Sequence, residues 1–357
     1  SNRPKILIFM TDGLPTVGET NVTRIVENAR NARNVGLRLF TFGVGYDVNT
    51  ALLDKLAADN GGVADYVEPK EDLEVKVSNF FARVNYPVLT NLRLDMAGVE
   101  TDLVYPRTLP DLFRGTQLTL IGRYRNPIDM DHVRLQLNGK ASGSERNFFY
   151  NDLRFARREE SNDFLPRLWA TRRVGWLMEQ IRTNGEQAEL RDEVVDLGTR
   201  YGIVTPYTSY LALEPNAQPQ NITAVTPGSP SLMGRGAQRS QAPMPKAAAD
   251  ARITSGEIAV RQSKRTREMA EAERLDKNEL SSAVKTVGGK TFFLREGVWT
   301  DAEFKPERRL PETTIKFASD EYFALLKQKP RLADFFALGE RVVVVFDGRV
   351  YRITAGQ

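Results

Sequence analysis

Apolar residues in the first part of the chain repeat with two alternating spacings. Residues 6–10 form a continuous apolar run, which is typical of a strand that a parallel sheet buries on both faces. Two further strand patterns, which are less continuously apolar, follow at 37–44 and 63–67. Segments with helical spacing lie between and after these strands, at 21–35, 49–60 and 72–84. Strands that alternate with helices in this way predict a parallel α/β sheet over residues 1–86.

Residues 87–155 change to short runs of alternating polarity, separated by clusters of turn residues. This pattern predicts an antiparallel β-domain, either a β-sandwich or a small β-sheet. Asn138-Gly139 lies between two such runs and predicts the turn of a hairpin. The aromatic triplet at 148–150 is predicted to fill the core of this domain, because large aromatic side chains dominate core burial.

Residues 156–213 are predicted to form a helical segment followed by an extended return. Trp169 and Trp176 lie at spacings typical of a buried helix face, so we expect both in the core. The pair Arg172-Arg173 is interpreted as a set of solvated surface charges.

The remaining sequence predicts a linker and a small C-terminal domain. Residues 214–280 are rich in Pro, Gly, Ser and Ala, and such a composition buries too little apolar surface to offset the entropy of ordering. We therefore expect a disordered linker, whose charged part at 256–279 forms a solvated single helix. Residues 281–357 hold two hairpin patterns and two helical patterns, which predicts a small α+β tail. The chain as a whole is therefore predicted to be multidomain.

Composition excludes several classes of function. Lys and Arg number 50 against 46 Asp and Glu, so the net charge of +4 is close to balanced for 357 residues. The basic residues are spread out and form no stripe with aromatic platforms, which argues against a nucleic-acid-binding protein. No apolar run approaches the length of a membrane span.

Cysteine and histidine usage argues against an enzyme. The chain has no cysteine, so it can form neither a disulfide nor a thiol nucleophile. Its one histidine, His132, stands without a paired nucleophile. We therefore expect no catalytic residues. A human protein secreted through a disulfide-forming compartment would be expected to carry some cysteine, so the lack of cysteine favours a bacterial source.

The most informative polar residue is Asp12, which follows the first apolar run directly. Ligands of open α/β sheets bind at the carboxyl ends of the strands. An acid in this position is usually a hard-cation ligand, a general base or a helix N-cap, and the local pattern does not choose among them. Thr11, Thr16 and Glu19 bring further oxygen atoms into the same segment.

Three segments resemble a known family. Residues 11–21 (TDGLPTVGETN) and 39–67 (LFTFGVGYDVNTALLDKLAADNGGVADYV) are similar to the second half of a von Willebrand factor A domain. Residues 201–211 (YGIVTPYTSYL) narrow the resemblance to the inter-alpha-trypsin inhibitor heavy chains and their bacterial relatives. The resemblance extends over residues 1–213.

The resemblance implies a metal-ion-dependent adhesion site. Such domains bind a divalent cation through three loops, and the Asp of a Thr-Asp-Gly turn in the third loop matches Asp12. It therefore implies Mg²⁺ or Mn²⁺ as cofactor in the complete protein, with Asp12 as a ligand and Thr11, Thr16 and Glu19 as further candidates. The Asp-x-Ser-x-Ser pattern of the first loop is absent from the chain. We therefore expect a fragment whose metal site is incomplete and whose residues 1–86 are only marginally stable alone.

The resemblance also implies a non-enzymatic adhesion protein of the extracellular space, periplasm or cell envelope. Its partner is expected to be a protein that presents an acidic side chain, because a hard cation with an open position attracts a carboxylate. The Asp-Pro-His-Phe processing site of the animal members is absent, so their link to a glycosaminoglycan is not expected here. The alternative hypothesis is a metal-independent scaffold or assembly module.

Overall fold

The computed structural model describes residues 5–32, 36–84, 87–141, 143–159, 161–162, 164–208, 253–274 and 284–355. The chain divides into two compact units. The first comprises Ser1–Val194 and Arg252–Asp276, and the second comprises Val195–Ala251 and Lys277–Gln357.

The first unit begins with the predicted parallel α/β sheet. Its strands are β1 (Lys5–Thr11), β2 (Leu37–Val44) and β3 (Ala64–Val67), which pair in parallel in the order β1-β2-β3. The helices that connect or follow them are α1 (Val22–Asn31), α2 (Thr50–Asp59) and α3 (Leu73–Val84). The predicted mixed α/β class is therefore confirmed.

Alternating side chains of β2 bury opposite faces of this sheet. Leu39 packs with Val26 of α1 and with Leu52 and Leu56 of α2. On the other face, Phe40 contacts the ring of Phe80 in α3 edge-on, with centroids 4.7 Å apart. The central strand is thus covered on both sides, as a strand of a parallel α/β sheet must be.

The prediction that the first strand is buried on both faces is wrong for the described residues. Leu7 is 49% exposed, and Phe9 and Met10 are each 43% exposed. In the described chain β1 lies at the edge of its sheet, with β2 on one side only. Ile6 and Ile8 still pack against the cluster that contains Phe80 of α3, but Leu7, Phe9 and Met10 meet solvent.

An antiparallel β-region follows, as predicted. Its strands are β4 (Pro87–Met96), β5 (Glu100–Tyr105), β6 (Leu112–Phe113), β7 (Ile121–Arg125), β8 (Met130–Ala141) and β9 (Ser144–Phe155). One sheet has the order β6-β4-β8-β9, and β5 pairs with β7 separately.

The hairpin turn predicted at Asn138-Gly139 is wrong. Both residues lie inside β8, and the hairpin joins β8 to β9 beyond Ala141. A Cβ on Gly139 would lie 2.5 Å from Cγ of Leu89, so this glycine makes room for a core leucine of β4. Its role is close packing between strands rather than a turn.

The core position predicted for the aromatic triplet is also wrong. Phe148, Phe149 and Tyr150 of β9 are 45%, 53% and 50% exposed. The core of this region is built instead by leucines of β4 and β8, among them Leu89, Leu92 and Leu137. β9 lies outside that cluster, at the end of the sheet order.

The predicted helical segment forms α4 (Leu165–Asn184) and α5 (Ala188–Tyr201). Trp169 is buried as expected, and its indole N–H donates to the Leu103 carbonyl at 3.1 Å. Arg172 and Arg173, however, are only 3% and 9% exposed, so their interpretation as solvated charges is wrong. Arg172 donates to the carbonyls of Ala272 and Thr119, which satisfy its buried guanidinium.

The charged helix predicted at 256–279 is α6 (Glu257–Ala270), and it is docked rather than solvated. It buries Ala259, Val260 and Met269 in the first unit. The backbone just before α6 is fixed by a hydrogen bond, in which the Gly256 N–H donates to the Tyr46 carbonyl at 2.8 Å. This part of the predicted linker is therefore ordered, whereas residues 214–252 and 275–280 lie outside the described residues.

The second unit contains the predicted α+β tail. Its strands are β10 (Val284–Val287), β11 (Lys290–Arg295), β12 (Val298–Asp301), β13 (Glu312–Lys316), β14 (Val342–Phe346) and β15 (Arg349–Thr354). They form one sheet in the order β10-β11-β12-β14-β15-β13. Helices α7 (Asp320–Gln328) and α8 (Leu332–Phe336) supply Tyr322, Phe335 and Phe336 to its core.

Part of the predicted extended return belongs to the second unit as well. Residues 202–208 form turns instead of a strand, and the Thr208 hydroxyl donates to the Ile203 carbonyl at 2.9 Å. Residues 209–213 lie outside the described residues.

Substitution of Gly175 tests the docking of α6 on α4. A Cβ on Gly175 would lie 2.4 Å from the backbone nitrogen of Ala270, so Gly175→Ala should force the two helices apart. We expect a loss of about 2 kcal/mol in the free energy of unfolding, measured by urea titration. Gly13→Ala is the control, because no atom lies within 4 Å of the Cβ that it would add. Equal stability of the two variants would contradict the observed helix packing.

Candidate functional site

The carboxyl ends of the three parallel strands meet at one edge of the sheet, where α/β proteins bind their ligands. β1 leads into Asp12, β2 into Tyr46 and β3 into Glu68. Other parts of the chain cover the three strand ends to different extents. The candidate site is the strand end that stays most exposed.

The Asp12 loop, which we define as residues 12–20, is the open part of this edge. Asp12 and Thr16 are exposed. The Thr11 hydroxyl donates to the Gly13 carbonyl at 3.2 Å, so Thr11 supports the turn that follows β1. Glu19 accepts from the Asn21 N–H at 2.9 Å and pairs with Arg24 at 3.7 Å.

The helix-cap interpretation of Asp12 is wrong. The N-cap of α1 is Asn21, whose side-chain oxygen accepts from the Arg24 N–H at 3.1 Å. Asp12 therefore lies well before the start of the helix, in an exposed turn. The cation-ligand and general-base interpretations of this carboxylate do not depend on the cap.

The described side chains do not fit a divalent cation by themselves. Within the described parts of the chain, no three or more His, Asp or Glu side chains are grouped so that they could hold a metal ion. Mg²⁺ requires nearly octahedral oxygen coordination, and the Asp12 loop offers one carboxylate that is free of local bonds, together with hydroxyl groups. Glu19, a predicted ligand, is already engaged with Asn21 and Arg24.

The ends of β2 and β3 are covered by residues 253–264. The Thr50 N–H donates to the Thr254 carbonyl at 2.8 Å, next to the contact between Gly256 and Tyr46. Lys264 of α6 pairs with Glu68 at 2.6 Å and with Glu71 at 3.0 Å. The segment that precedes and begins α6 therefore covers most of the carboxyl edge and leaves the Asp12 loop and the side chain of Asp47 exposed.

The carboxylates beneath α6 are stabilised in their charged form. Hydrogen bonding by Lys264 lowers the pKa of Glu68. Partial burial raises the pKa of Glu71, but the Glu68 N–H, Lys264 and Lys76 outweigh it, and the net result is a pKa lowered to about 2. Both groups are partly exposed, so this attraction is screened by solvent.

A buried polar cluster, which we call the Asp54 cluster, anchors α6 more deeply. It consists of Asp54, Tyr66, Arg182 and Ser263. Asp54 accepts from the Tyr66 hydroxyl at 2.6 Å, from the Ser263 hydroxyl at 2.7 Å and from the Arg182 guanidinium at 3.1 Å. Burial and the neighbouring Asp54 carboxylate raise the pKa of Tyr66, so this phenol stays protonated and acts as a donor.

A cavity of about 160 Å³ lies beside the Asp54 cluster, and Asp65, Glu179 and Arg267 also line it. Burial raises the pKa of Glu179. Because both carboxylate and guanidinium groups line the cavity, it is suited to ordered water rather than to an apolar ligand.

Sequence reasoning missed the Asp54 cluster. Asp54 and Ser263 are separated by 209 residues, and each is an ordinary polar residue on a predicted helix. The one local indication was the position of Ser263 among the apolar residues that α6 buries. A serine in such a position has a buried hydroxyl group, which needs a hydrogen-bond partner.

Within the described residues, no helix is both long enough and apolar enough to cross a membrane.

Removal of the Asp54 carboxylate should destabilise the first unit strongly. The Arg182 side chain is only 5% exposed, so Asp54→Ala leaves a buried guanidinium without its counter-charge. We expect a loss of about 3 kcal/mol or more in the free energy of unfolding, measured by urea titration. The matched control is Glu257→Ala, which removes an exposed partner of Arg261 on α6 and should cost less than about 0.5 kcal/mol. Similar losses for the two variants would count against the cluster as an anchor.

The contact between Lys264 and the two glutamates should make stability depend on pH. The folded-state pKa of Glu71 is lowered, so its contribution is present above its ordinary pKa and is lost as the pH falls towards about 2. Lys264→Met should therefore lower the urea midpoint near pH 7, and the difference from the parent protein should shrink on acidification to about pH 2.5. A difference that is constant over this range would show that Lys264 acts through packing instead.

Comparison with known proteins supports the resemblance. Residues 1–81 match the family model of the von Willebrand factor type A domain. The human inter-alpha-trypsin inhibitor heavy chain H4 is 31% identical over 234 residues, which cover 62% of this chain and 25% of the relative. The mouse heavy chain H3 is 26% identical over 237 residues, which cover 64% of this chain and 26% of that protein. The chain thus spans about a quarter of the length of these relatives.

Among solved structures, a von Willebrand factor type A protein from Catenulispora acidiphila aligns with a TM-score of 0.34 at 14% identity, over 56% of each chain. The sequence matches carry the assignment, because they link the Asp12 segment to one domain family and most of the chain to one group of proteins. The chain is therefore similar to the inter-alpha-trypsin inhibitor heavy chains over most of its length, and its residues 1–81 are similar to the von Willebrand factor type A domain.

Proposed function

We propose that this chain belongs to a non-enzymatic adhesion-type protein that binds another protein at the Asp12 loop. The observation that carries the proposal is the exposure of Asp12 at the carboxyl edge of the sheet, next to strand ends that residues 253–264 cover. A partner that approaches this edge meets the Asp12 loop first. The match of this segment to the von Willebrand factor type A domain supports a binding role.

The binding is proposed to depend on Mg²⁺ or Mn²⁺ in the complete protein. Asp12 would supply one oxygen ligand, with Thr11 and Thr16 as neighbouring hydroxyl donors. The remaining ligands must come from outside the described residues, because the described acids do not form a site. A bound divalent cation with an open position would attract an acidic side chain of the partner.

The absence of cysteine and the single histidine favour binding over catalysis in this proposal. His132 is exposed on β8, where its Nδ1 lies 2.9 Å from Oδ1 of Asp152, and it has no nucleophile beside it among the described residues. We place the protein in the extracellular space or the cell envelope, the location that the resemblance implies.

A second candidate function is that of a metal-independent scaffold. The observation that favours it is the exposed aromatic triplet of β9, which offers a contact surface away from the Asp12 loop. In that case the β-region would carry the interaction, and Asp12 would have no part in it.

The two candidates differ in their dependence on Asp12 and on the cation. The longest expressed form of the protein that contains this chain should be passed over a sensor surface carrying a glutamate-rich peptide, with a glutamine-rich peptide as reference. We expect binding in Mn²⁺ that is lost with a chelator and reduced at least about tenfold by Asp12→Ala, because the cation loses a charged ligand.

Asp47→Ala is the matched control for that experiment. Asp47 is an exposed acid that follows the neighbouring strand β2, so its removal changes the net charge equally and should leave binding intact. Binding that survives both the chelator and Asp12→Ala would support the scaffold function. Equal losses from Asp12→Ala and Asp47→Ala would point to a general charge effect and contradict the assignment of Asp12.

A further inference from the structure

Strand β9 is an open edge of the four-stranded sheet. The order β6-β4-β8-β9 puts it at one end, and no other described strand pairs with its outer side. Residues Ser144 to Tyr150 pair continuously with β8, from Ala141 back to Leu135, so this stretch of β9 is regular. A regular edge strand presents a row of backbone N–H and C=O groups that can pair with another strand.

Both faces of β9 carry exposed aromatic side chains. Phe148 and Tyr150 lie on the face that Leu137 and Leu135 share, and Phe149 lies on the opposite face, across from Gln136. All three aromatic residues are 45–53% exposed. Exposed apolar clusters of this kind are typical of interaction surfaces, because a partner that covers them removes apolar area from water.

The sequence of β9 is chemically symmetric about Phe149. Reading from 146 to 152, the residues are Arg-Asn-Phe-Phe-Tyr-Asn-Asp. When a second copy of this segment runs in the opposite direction, Asp152 of one copy faces Arg146 of the other. The two asparagines then face each other, and so do the aromatic residues. Two copies that run antiparallel are therefore complementary to each other along this stretch.

We propose that β9 pairs antiparallel with β9 of a second copy of this chain, on a two-fold axis that passes beside Phe149. Arg146 of each copy then faces Asp152 of the other, and Phe148 faces Tyr150. The two sheets join into one continuous sheet across the axis, and each ionic and aromatic contact occurs twice, as in any two-fold symmetric interface.

The symmetry restricts the register, and the charges select this one. When a two-fold axis is normal to an antiparallel ladder, one residue faces the same residue of the other copy. A different register therefore requires that the axis moves to a neighbouring residue. With the axis at Tyr150, Asp152 would face Phe148, and Arg146 would lie opposite a position beyond the bend, so the ion pairs would be lost. With the axis at Phe148, Asp152 would face Ser144 and the ion pairs would be lost.

The two charged ends of the segment are accessible. Arg146 is exposed and makes neither a hydrogen bond nor an ion pair within the described structure. The Asp152 side chain is 79% exposed, and one of its oxygens contacts His132. The other oxygen is available to an arginine, because a carboxylate accepts several hydrogen bonds.

The ladder has a defined end at Asp152. The pairing with β8 shifts beyond Tyr150, and Asp152 has a φ of 61°, which bends the strand there. The bend ends the regular ladder, so with the axis at Phe149 the backbone pairing between copies is regular at residues 148–150, and Arg146 and Asp152 meet beside it through their side chains. The side chain of Arg146 is long enough to reach the carboxylate just past the regular part.

Sedimentation equilibrium of the full chain tests the proposal. We expect a monomer–dimer equilibrium, and Arg146→Asp or Asp152→Arg alone should weaken the dimer at least about tenfold, because each places like charges opposite each other at both ends. The double variant Arg146→Asp/Asp152→Arg restores opposite charges and should recover the dimer. Phe149→Lys should also abolish it, because it puts two ammonium groups on the axis.

Arg24→Asp serves as the control, because it makes the same charge change as Arg146→Asp on the exposed surface of α1. Circular dichroism of each variant verifies folding, and hydrogen exchange reports the strand directly. The amides of 145–151 should exchange more slowly as the concentration of the parent protein rises. A parent chain that stays monomeric would overturn the proposal. So would a dimer that persists in Phe149→Lys or is not restored by the double variant.

Discussion

The Asp54 carboxylate organises the first unit, because it is a largely buried charge to which side chains of three other elements donate. Tyr66 of β3, Arg182 of α4 and Ser263 of α6 all donate to it. A buried ion pair contributes little net stability, but loss of one partner leaves the other charge desolvated. The position of α6 is therefore determined by specific polar groups as well as by the apolar area that it covers.

The docking of α6 also determines which part of the carboxyl edge can meet a partner. Lys264 and the backbone around Gly256 close the ends of β2 and β3, and the Asp12 loop remains exposed. The same helix thus anchors the fold through Asp54 and delimits the candidate site. This arrangement links a segment far along the chain to the strand end that carries Asp12.

Two strands of the first unit keep large apolar side chains at open edges. β1 exposes Leu7, Phe9 and Met10 beside the Asp12 loop, and β9 exposes its aromatic triplet at the end of the antiparallel sheet. The two edges differ in chemistry. These three exposed side chains of β1 are all apolar. In β9 the aromatic rings are flanked by amides and then by opposite charges, and this order is complementary to itself in an antiparallel pair.

The spacing of apolar residues was sufficient to predict the parallel α/β sheet, the antiparallel region, α4 and the α+β tail. These predictions succeeded because helix and strand periodicities are local properties of the chain. Asp12 at a strand end was recognisable for the same reason, since a turn signal follows an apolar run directly. The notion that this strand is buried on both faces failed, because burial depends on neighbours that its own sequence does not specify.

Only the tertiary structure decided which polar groups are buried and which apolar groups are exposed. Gly139 has the sequence context of a turn, yet it lies within a strand because Leu89 needs the space that a side chain would occupy. The sequence around Arg172 is typical of a solvated charge. In the structure its guanidinium is buried and donates to carbonyls that are distant in sequence. Ser263 meets Asp54 across 209 residues, and no local pattern encodes such a contact. The sequence by itself therefore determined the elements and their order, while long-range packing and the requirement to satisfy buried polar groups decided where each face lies.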